Sequence, residues 1–302
     1  MNTSRVSAEL SVHATLPRTS PHPWHTLAIF ARQNPLGILG ATIILGLVLI
    51  GIFGPLLAPY DPDEIGVAEK YAAPSLHGPL LGADQFGRDV LSRIFYGARV
   101  SLLVGVVAST IGTFIGALLG LASGYWGGKT DAIVQRFVDI LMSFPLIILA
   151  LTLLTALNRS LSTVIVAIGV PFIPYGARMV RANTLVIKES QYVEAARAIG
   201  CGDLRIIGRH IVPGCVALYL VLTTGLIGVA IITESALGFL GLSIPPPTPT
   251  LGGMLSEALS LLMFAPHVAV VPGAFITLAV FAFNILGDAL RDLLDPRLRG
   301  RR

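Results

Sequence analysis

The chain has 302 residues, 54% of them hydrophobic and only 13% charged, and its mean hydropathy is +0.78. A soluble domain carries about 25% charged residues, so this composition excludes an ordinary soluble protein and places the chain in a bilayer. The net charge of +4 is too small and too dispersed for a nucleic-acid binder; it fits loop charges facing an anionic leaflet.

In chain order, the first segment is polar through Pro23. The first long apolar run begins only near Pro35, late for a secretory signal and too long for its apolar region, so the tail is expected to be retained. Trp24 to Gln33 reads either as a short amphipathic helix on the membrane surface or as an unstructured leader. A spanning helix needs about 20 apolar residues. Charge-free runs predict six, near 36–58, 100–122, 138–157, 161–181, 215–236 and 267–287. The interval Ser235–Ser256 is also uncharged, but Pro245, Pro246, Pro247 and Pro249 exclude a spanning helix and predict a loop. The expected fold is all-α and polytopic: a tail over 1–35, six spans within 36–290, and a tail over 291–302.

Six spans put both termini on one side, and Lys and Arg decide which. The two tails, the loop holding Lys129 and Arg136, and the flanks and body of 190–213 together carry sixteen of the twenty-one basic residues. The opposite side keeps Lys70, Arg88, Arg93 and Arg159, with Arg99 at a span boundary, beside Asp61, Asp63, Glu64, Glu69, Asp84 and Asp89. Both termini are therefore expected in the cytoplasm.

Within the spans, Gly112, Gly116, Gly120 and Gly124 recur at every fourth position after Ala108, a stripe that lets another helix approach closely. That partner is either a second subunit or another helix of this chain. Pro145, Pro171 and Pro174 should kink their spans. Gly127-Gly128-Lys129-Thr130 resembles the end of a phosphate-binding loop, but Ser123 stands where its first glycine belongs and no strand precedes it; it reads as a turn. Ion coupling would leave charges deep in the membrane. Asp139, Glu234 and Asp288 fall instead near span ends, Glu234 as a carboxylate at the water boundary or bonded to a neighbouring helix, Asn284 and Asp288 orienting the C-terminal tail. Cys201 and Cys215 lack histidine at ligand spacing and read as inert small residues. His210 and His267 are isolated, and no catalytic, cofactor or metal constellation is visible.

The longest charged interval between two apolar segments is Ser190–Pro213. A short helix is expected from Ser190 as N-cap to a stop at Gly200. Tyr192, Ala195, Ala196 and Ile199 share one face, and Glu194 and Arg197 are spaced to pair. A second short helix starts at Asp203 and should end near Pro213. A polar helix–turn–helix between two spans has the character of a docking surface.

Glu194-Ala195-Ala196, then Gly200, then Pro213 resemble the EAA loop of inner-membrane permeases of binding-protein-dependent ABC importers. His210, where the general pattern has an aliphatic residue, is similar to the dipeptide, oligopeptide and nickel branch. Gly82–Arg93, Ser160–Pro171, Glu234–Leu242 and Asn284–Arg299 resemble further segments of that branch, so the similarity spans roughly Arg32 to Arg299. Ala83, Gly214 and Leu251 depart from its commoner Thr, Asn and Trp.

The resemblance implies a type I ABC importer permease fold. It implies a heterodimer with a homologous permease, two cytoplasmic ABC ATPase subunits, and a periplasmic or lipid-anchored substrate-binding protein meeting the outer loops 59–97 and 237–266. ATP would be hydrolysed on the partner subunits. The loop 190–213 would be the coupling helix seated in a groove of the ATPase, with Tyr192, Glu194, Ala195, Ala196, Gly200, Asp203 and Pro213 as its coupling residues. Import of di- or oligopeptides is the expected activity, with nickel or another small solute as the alternative cargo. An ion-driven carrier and a membrane scaffold are the readings from other classes.

Overall fold

The computed structural model describes residues 34–294; the Trp24–Gln33 segment and the tail beyond Leu294 lie outside the described residues. The described residues from Leu36 to Leu294 form one compact unit. Its regular elements, among the described residues, are all helical: α1 Pro35–Leu57, α2 Val90–Trp126, α3 Gly128–Met142, α4 Leu146–Ala156, α5 Leu161–Gly169, α6 Ile173–Lys188, α7 Gln191–Ala198, α8 Asp203–Ile206, α9 Val212–Phe239, α10 Leu251–Ala258 and α11 His267–Leu294.

Among the described residues, five helices are long and apolar enough to cross a membrane: α1, α2, the run Leu161–Lys188 (α5–α6), the run Asp203–Phe239 (α8–α9) and α11. The bent pair α3 and α4 passes the same test only when taken together, as a broken span or a re-entrant loop. The predicted span over 138–157 is not one helix, because it breaks at Ser143–Pro145 with a bend of 88°. Pro145 cannot donate to the preceding turn. Its eleven-residue successor α4 is only about 16 Å long, half a hydrocarbon core. Pro171 and Pro174 act more gently: the chain tightens to a 3₁₀ turn over Val170–Phe172 and resumes as α6.

α1 is built for lipid. It turns Gly37, Gly40, Leu47, Gly51 and Gly54 inward and leaves Leu36, Leu39, Leu45, Ile52 and Leu56 outward. A Cβ at Gly40 would stand 3.0 Å from the Ala282 carbonyl oxygen of α11, and one at Gly54 3.0 Å from Phe95 Cβ of α2. Small residues inside and large apolar residues outside is the reverse of a water-soluble helix, and it is what lipid as solvent allows.

The glycine stripe of α2 packs within the chain. A Cβ at Gly112, Gly116 or Gly120 would fall on the carbonyl oxygens of Gly169, Ile173 and Ala177 in turn, and one at Gly124 would come within 2.9 Å of Thr184 Cβ. Gly176 returns the relationship, its Cβ position occupied by the Thr113 carbonyl oxygen. Of the two partners expected for the stripe, the intramolecular one is present.

Two predicted boundaries move. α2 starts at Val90, well inside the segment expected as an outer loop, because Asp89 caps it: the Asp89 carboxylate accepts from Ser92 N at 2.8 Å and from Ser92 Oγ at 2.6 Å. The uncharged stretch after Ser235 is only partly loop. α9 runs to Phe239 and ends in a Schellman motif, where Gly241 (φ 72°) donates to Gly238 O and Leu242 to Leu237 O. The prolines fill 245–249, and α10 begins at Leu251 behind Thr250, whose Oγ1 accepts from Gly253 N at 3.0 Å.

Candidate coupling site

Residues 190–213 fold as a short helix and, after a tight turn, the start of a second helix, at the end of the bundle where α2 and α6 also finish. α7 begins after Ser190, whose backbone is extended as at an N-cap, but whose hydroxyl donates back to Ile187 O at 2.6 Å and does not cap the new helix. The stop is as expected. Gly200 stands at φ 81°, Cys201 N donates to Ala196 O at 3.0 Å and Gly200 N to Arg197 O at 2.9 Å, which is again a Schellman motif. Cys201 thereby gains a role that composition did not reveal, as the apolar residue after the cap, packing beside Ala196 and Ile206.

The second helix does not end near Pro213. Its first turn, α8, passes through a π-helical segment, Ile207–Ile211, in which Val212 N donates five residues back to Ile207 O. It then continues as α9, so that Asp203–Phe239 is one 37-residue run. The wider turn accommodates a proline that lacks a donor at this point, and π-turns of this kind concentrate at functional positions.

The faces sort differently from the periodicity. Val193 and Ala196 are buried, together with Ile206, Ile207, Ile211 and Cys215. Tyr192 (51% exposed), Ala195 and Ile199 (81% exposed) point outward, joined by Leu204 (80% exposed). Ala196 thus leaves the predicted stripe for the core face, on whose border its position lies. Glu194 is exposed, and no ion pair joins it to Arg197 among the described residues. Arg197 instead lies 5.9 Å from the ring centroid of Tyr125. Pro213 is exposed at the start of α9. The Tyr192 ring lies 6.1 Å from that of His210, so the histidine sits beside α7 within the same loop.

Asp203 faces inward by its carboxylate, accepting from the Tyr125 hydroxyl at 2.7 Å. Tyr125 and Leu204 belong to this site and were not singled out from the sequence. A Tyr-Trp pair closing a long apolar run is the signal that marks the first; an isolated leucine between Asp203 and Arg205 marks the second. Beneath the loop, Arg181 of α6 makes two hydrogen bonds of 2.6 Å to Asp131 of α3, which also accepts from Ser123 of α2 at 3.0 Å.

At the other end of the bundle, Gly82–Arg93 makes a compact ionic knot. Asp84 accepts from the backbone of Phe86 and Arg88 and from Arg88 Nε at 2.6 Å, while Glu257 of α10 receives Arg88 Nη2 at 2.9 Å. The chain from Gly66 to Ala72 is laced to this knot by backbone hydrogen bonds to Asp84, Phe86 and Gly87. Glu234 is fully buried. It accepts from Ser101 of α2 at 2.7 Å and from Ser243 at 3.1 Å, so of its two expected settings it takes the bonded one. Asn284 donates within its own helix, to Val280 O at 2.9 Å.

Residues 112–300 match the family model described as "Binding-protein-dependent transport system inner membrane component", and residues 23–74 match "N-terminal TM domain of oligopeptide transport permease C". Among curated relatives, the glutathione transport system permease protein GsiD of Escherichia coli O6:K15:H31 is 43% identical over 282 residues, covering 92% of each chain. The protein of the same name from Shigella boydii serotype 4 gives the same figures, and that of Pectobacterium atrosepticum is 40% identical over 291 residues, covering 95% of this chain and 96% of its own. With an all-helical fold of five to six candidate spans and several ordered motifs along most of its length, the chain belongs to the inner-membrane permease family of binding-protein-dependent ABC importers, in the dipeptide and oligopeptide branch.

Proposed function

We propose that this chain is one half of the translocation unit of an ATP-driven importer of small peptides of the glutathione type, and that it receives force from a separate ATPase through 190–213. The observation that carries the reading is the outward stripe of Tyr192, Ile199 and Leu204, each at least half exposed, on a polar hairpin beyond the apolar spans. Water-exposed apolar groups clustered in this way are a protein-docking feature. Burying a single leucine or isoleucine contributes about 1.5–3 kcal/mol. Ala195 between them presents no bulk, and Glu194, Arg197 and Arg205 give the patch a charged rim.

The excess of basic residues supports a cytoplasmic setting for this loop and both termini, on the side of the ATPase, and the reading takes residues 36–290 as the membrane domain. A homologous permease completes the pathway as a heterodimer. A binding protein delivers cargo at the opposite end, where the Gly82–Arg93 knot and α10 lie. The peptide class is supported by the relatives named for glutathione, a tripeptide, and by the match to an oligopeptide permease segment.

The test is the double variant Ile199→Glu, Leu204→Glu in the complete transporter. The expected result is a normal membrane level of the chain, loss of the co-purifying ATPase, and uptake of labelled glutathione falling to background. Normal ATPase capture with normal uptake would overturn the coupling role. Competition of the wild-type uptake by di- and tripeptides but not by nickel is expected; competition by nickel alone would overturn the peptide reading.

A further inference from the structure

The loop 190–213 is joined covalently to α6 on one side and to α9 on the other. It is not joined covalently to α2, yet α2 and the Asp203–Phe239 run are the two longest helices in the molecule, 37 residues each. At 1.5 Å per residue each is about 55 Å long, some 25 Å more than a hydrocarbon core of about 30 Å requires. The surplus of the Asp203–Phe239 run lies at the loop end, whereas that of α2 falls mostly at the other, ahead of the charge-free stretch that begins after Arg99. At the loop end the last turn of α2 and the Asp203–Phe239 run meet through a single directed side-chain contact, in which the Tyr125 hydroxyl donates to Asp203 Oδ1 at 2.7 Å. It is the one side-chain hydrogen bond from α2 to 190–213 among the described residues.

The surroundings of Tyr125 concentrate the loop onto its ring. The residue is 5% exposed and packs with Val193 and Ala196 of α7 and Ile206 of α8. Arg197 lies 5.9 Å and Lys188 5.8 Å from the ring centroid, on either side of the start of α7. Both arms of the hairpin therefore bear on one side chain, the second to last residue of α2.

The mechanical setting on each side of this contact differs. α2 is locked backbone to backbone against α5–α6 along the Gly112–Gly124 stripe, so a displacement of its end carries the two helices as one body. The covalent route from Asp203 into α9 instead runs through the π-turn Ile207–Ile211 and Pro213, where the regular hydrogen-bond ladder is interrupted. A push on the hairpin reaches α6 directly through the short Glu189–Ser190 join and the end of α2 through Tyr125, whereas its route into α9 runs through the compliant π-turn.

We propose that Tyr125 is the positioning residue that transmits displacement of the 190–213 loop to the α2–α6 body, with Asp203 as its partner. This rests on the coupling reading above. In such a device Asp203 does not meet the ATPase; it holds the loop to the membrane helices while Tyr192, Ile199 and Leu204 are engaged from outside.

The experiment uses the whole transporter, with its partner permease, ATPases and binding protein, in proteoliposomes, and reads glutathione imported per ATP hydrolysed. Tyr125→Phe removes one oxygen and keeps the packed ring. It is expected to retain ATPase capture and ATP hydrolysis while import per ATP falls roughly tenfold, within the range over which single residues modulate coupling between sites. Asp203→Leu reads the same contact from its exposed side and is expected to fall equally, and the double variant no further. Asp203→Asn keeps an oxygen for the hydroxyl and is expected to recover the import that Asp203→Leu loses, which a loss of packing alone would not produce. Wild-type import per ATP in Tyr125→Phe, or additive losses in the double variant, would overturn the proposal. Failure of the coupling reading itself is seen separately, as normal ATPase capture by the Ile199→Glu, Leu204→Glu chain.

Discussion

Ser101 of α2 donates a hydrogen bond of 2.7 Å to the carboxyl group of Glu234 in α9, and the second oxygen of that group accepts from Ser243 at 3.1 Å, beyond the helix end. One fully buried side chain thus ties two spans to the loop that leads to the proline run and α10. Polar contacts between membrane helices average about 0.6 kcal/mol and reach about 1.7 kcal/mol. Ser101→Ala is expected to lower stability by about 1 kcal/mol, read as thermal unfolding in detergent. Glu234→Leu, which strands both hydroxyls, is expected to cost more, whereas Glu234→Gln keeps an acceptor and a donor for them and should lie between wild type and the leucine variant. Equal melting temperatures for Gln and Leu would show that the two serine contacts contribute nothing.

The α2 stripe gives the second prediction. Gly116→Ala puts a methyl group onto the Ile173 carbonyl oxygen, a backbone atom that cannot step aside without separating α2 from α6. Overpacking of this kind costs about 1–3 kcal/mol or more. Gly46 of α1 has nothing within 4 Å of its Cβ position, so Gly46→Ala is the matched control and is expected to be neutral or slightly stabilising. The comparison is made on expression level and melting temperature of the purified chains. A Gly116→Ala protein as stable as Gly46→Ala would mean that the helices can separate freely there.

How much of this was legible beforehand depends on whether the signal was local. Most of the spans are legible because each is built around a long run poor in charge, and the stop at Gly200 because a left-handed position favours glycine. What escaped were relationships set by neighbours. The sequence around Pro213 looks like a helix end, and only the wider π-turn lets Asp203–Phe239 run on as one element. The apolar run over 138–157 looks continuous, yet Pro145 turns it through 88°. Ala196 was grouped with Tyr192 and Ile199 by spacing, but the buried side of α7 is chosen by what lies beneath it, namely Tyr125 and Ile206. Asp203 could be named as part of the loop; its partner, 78 residues earlier, could not.

Gly200 supplies a third prediction that separates backbone strain from crowding. Its Cβ position is open, with nothing within 4 Å, so a substitution meets no clash; the cost comes from φ at 81° alone. For an alanine in the left-handed region this is about 1–2 kcal/mol. Gly200→Ala is therefore expected to loosen the end of α7 without unfolding the bundle, giving faster amide exchange at Gly200 and Cys201, whose N–H groups close the cap. Global melting should change little. Unchanged exchange at those two amides would show that the turn tolerates a side chain.

The last prediction concerns the ionic knot at the far end. Asp84 is only 3% exposed and receives two backbone N–H groups as well as Arg88 Nε, with Arg93 Nε at 3.7 Å. Glu257, with a third of its side chain exposed, meets the same two arginines from α10. The two carboxylates are not equivalent. Removing the buried one leaves two arginines and two amides short of an acceptor, and breaking a buried pair in this way costs about 3–5 kcal/mol. Removing the partly exposed one leaves Arg88 still bonded to Asp84, and the loss is screened by water, about 1 kcal/mol or less. Asp84→Ala is thus expected to melt well below Glu257→Ala, and raised salt should narrow the gap between Glu257→Ala and wild type while leaving Asp84→Ala behind. If the two variants melt together at every salt concentration, Asp84 is not the keystone of the Gly82–Arg93 segment.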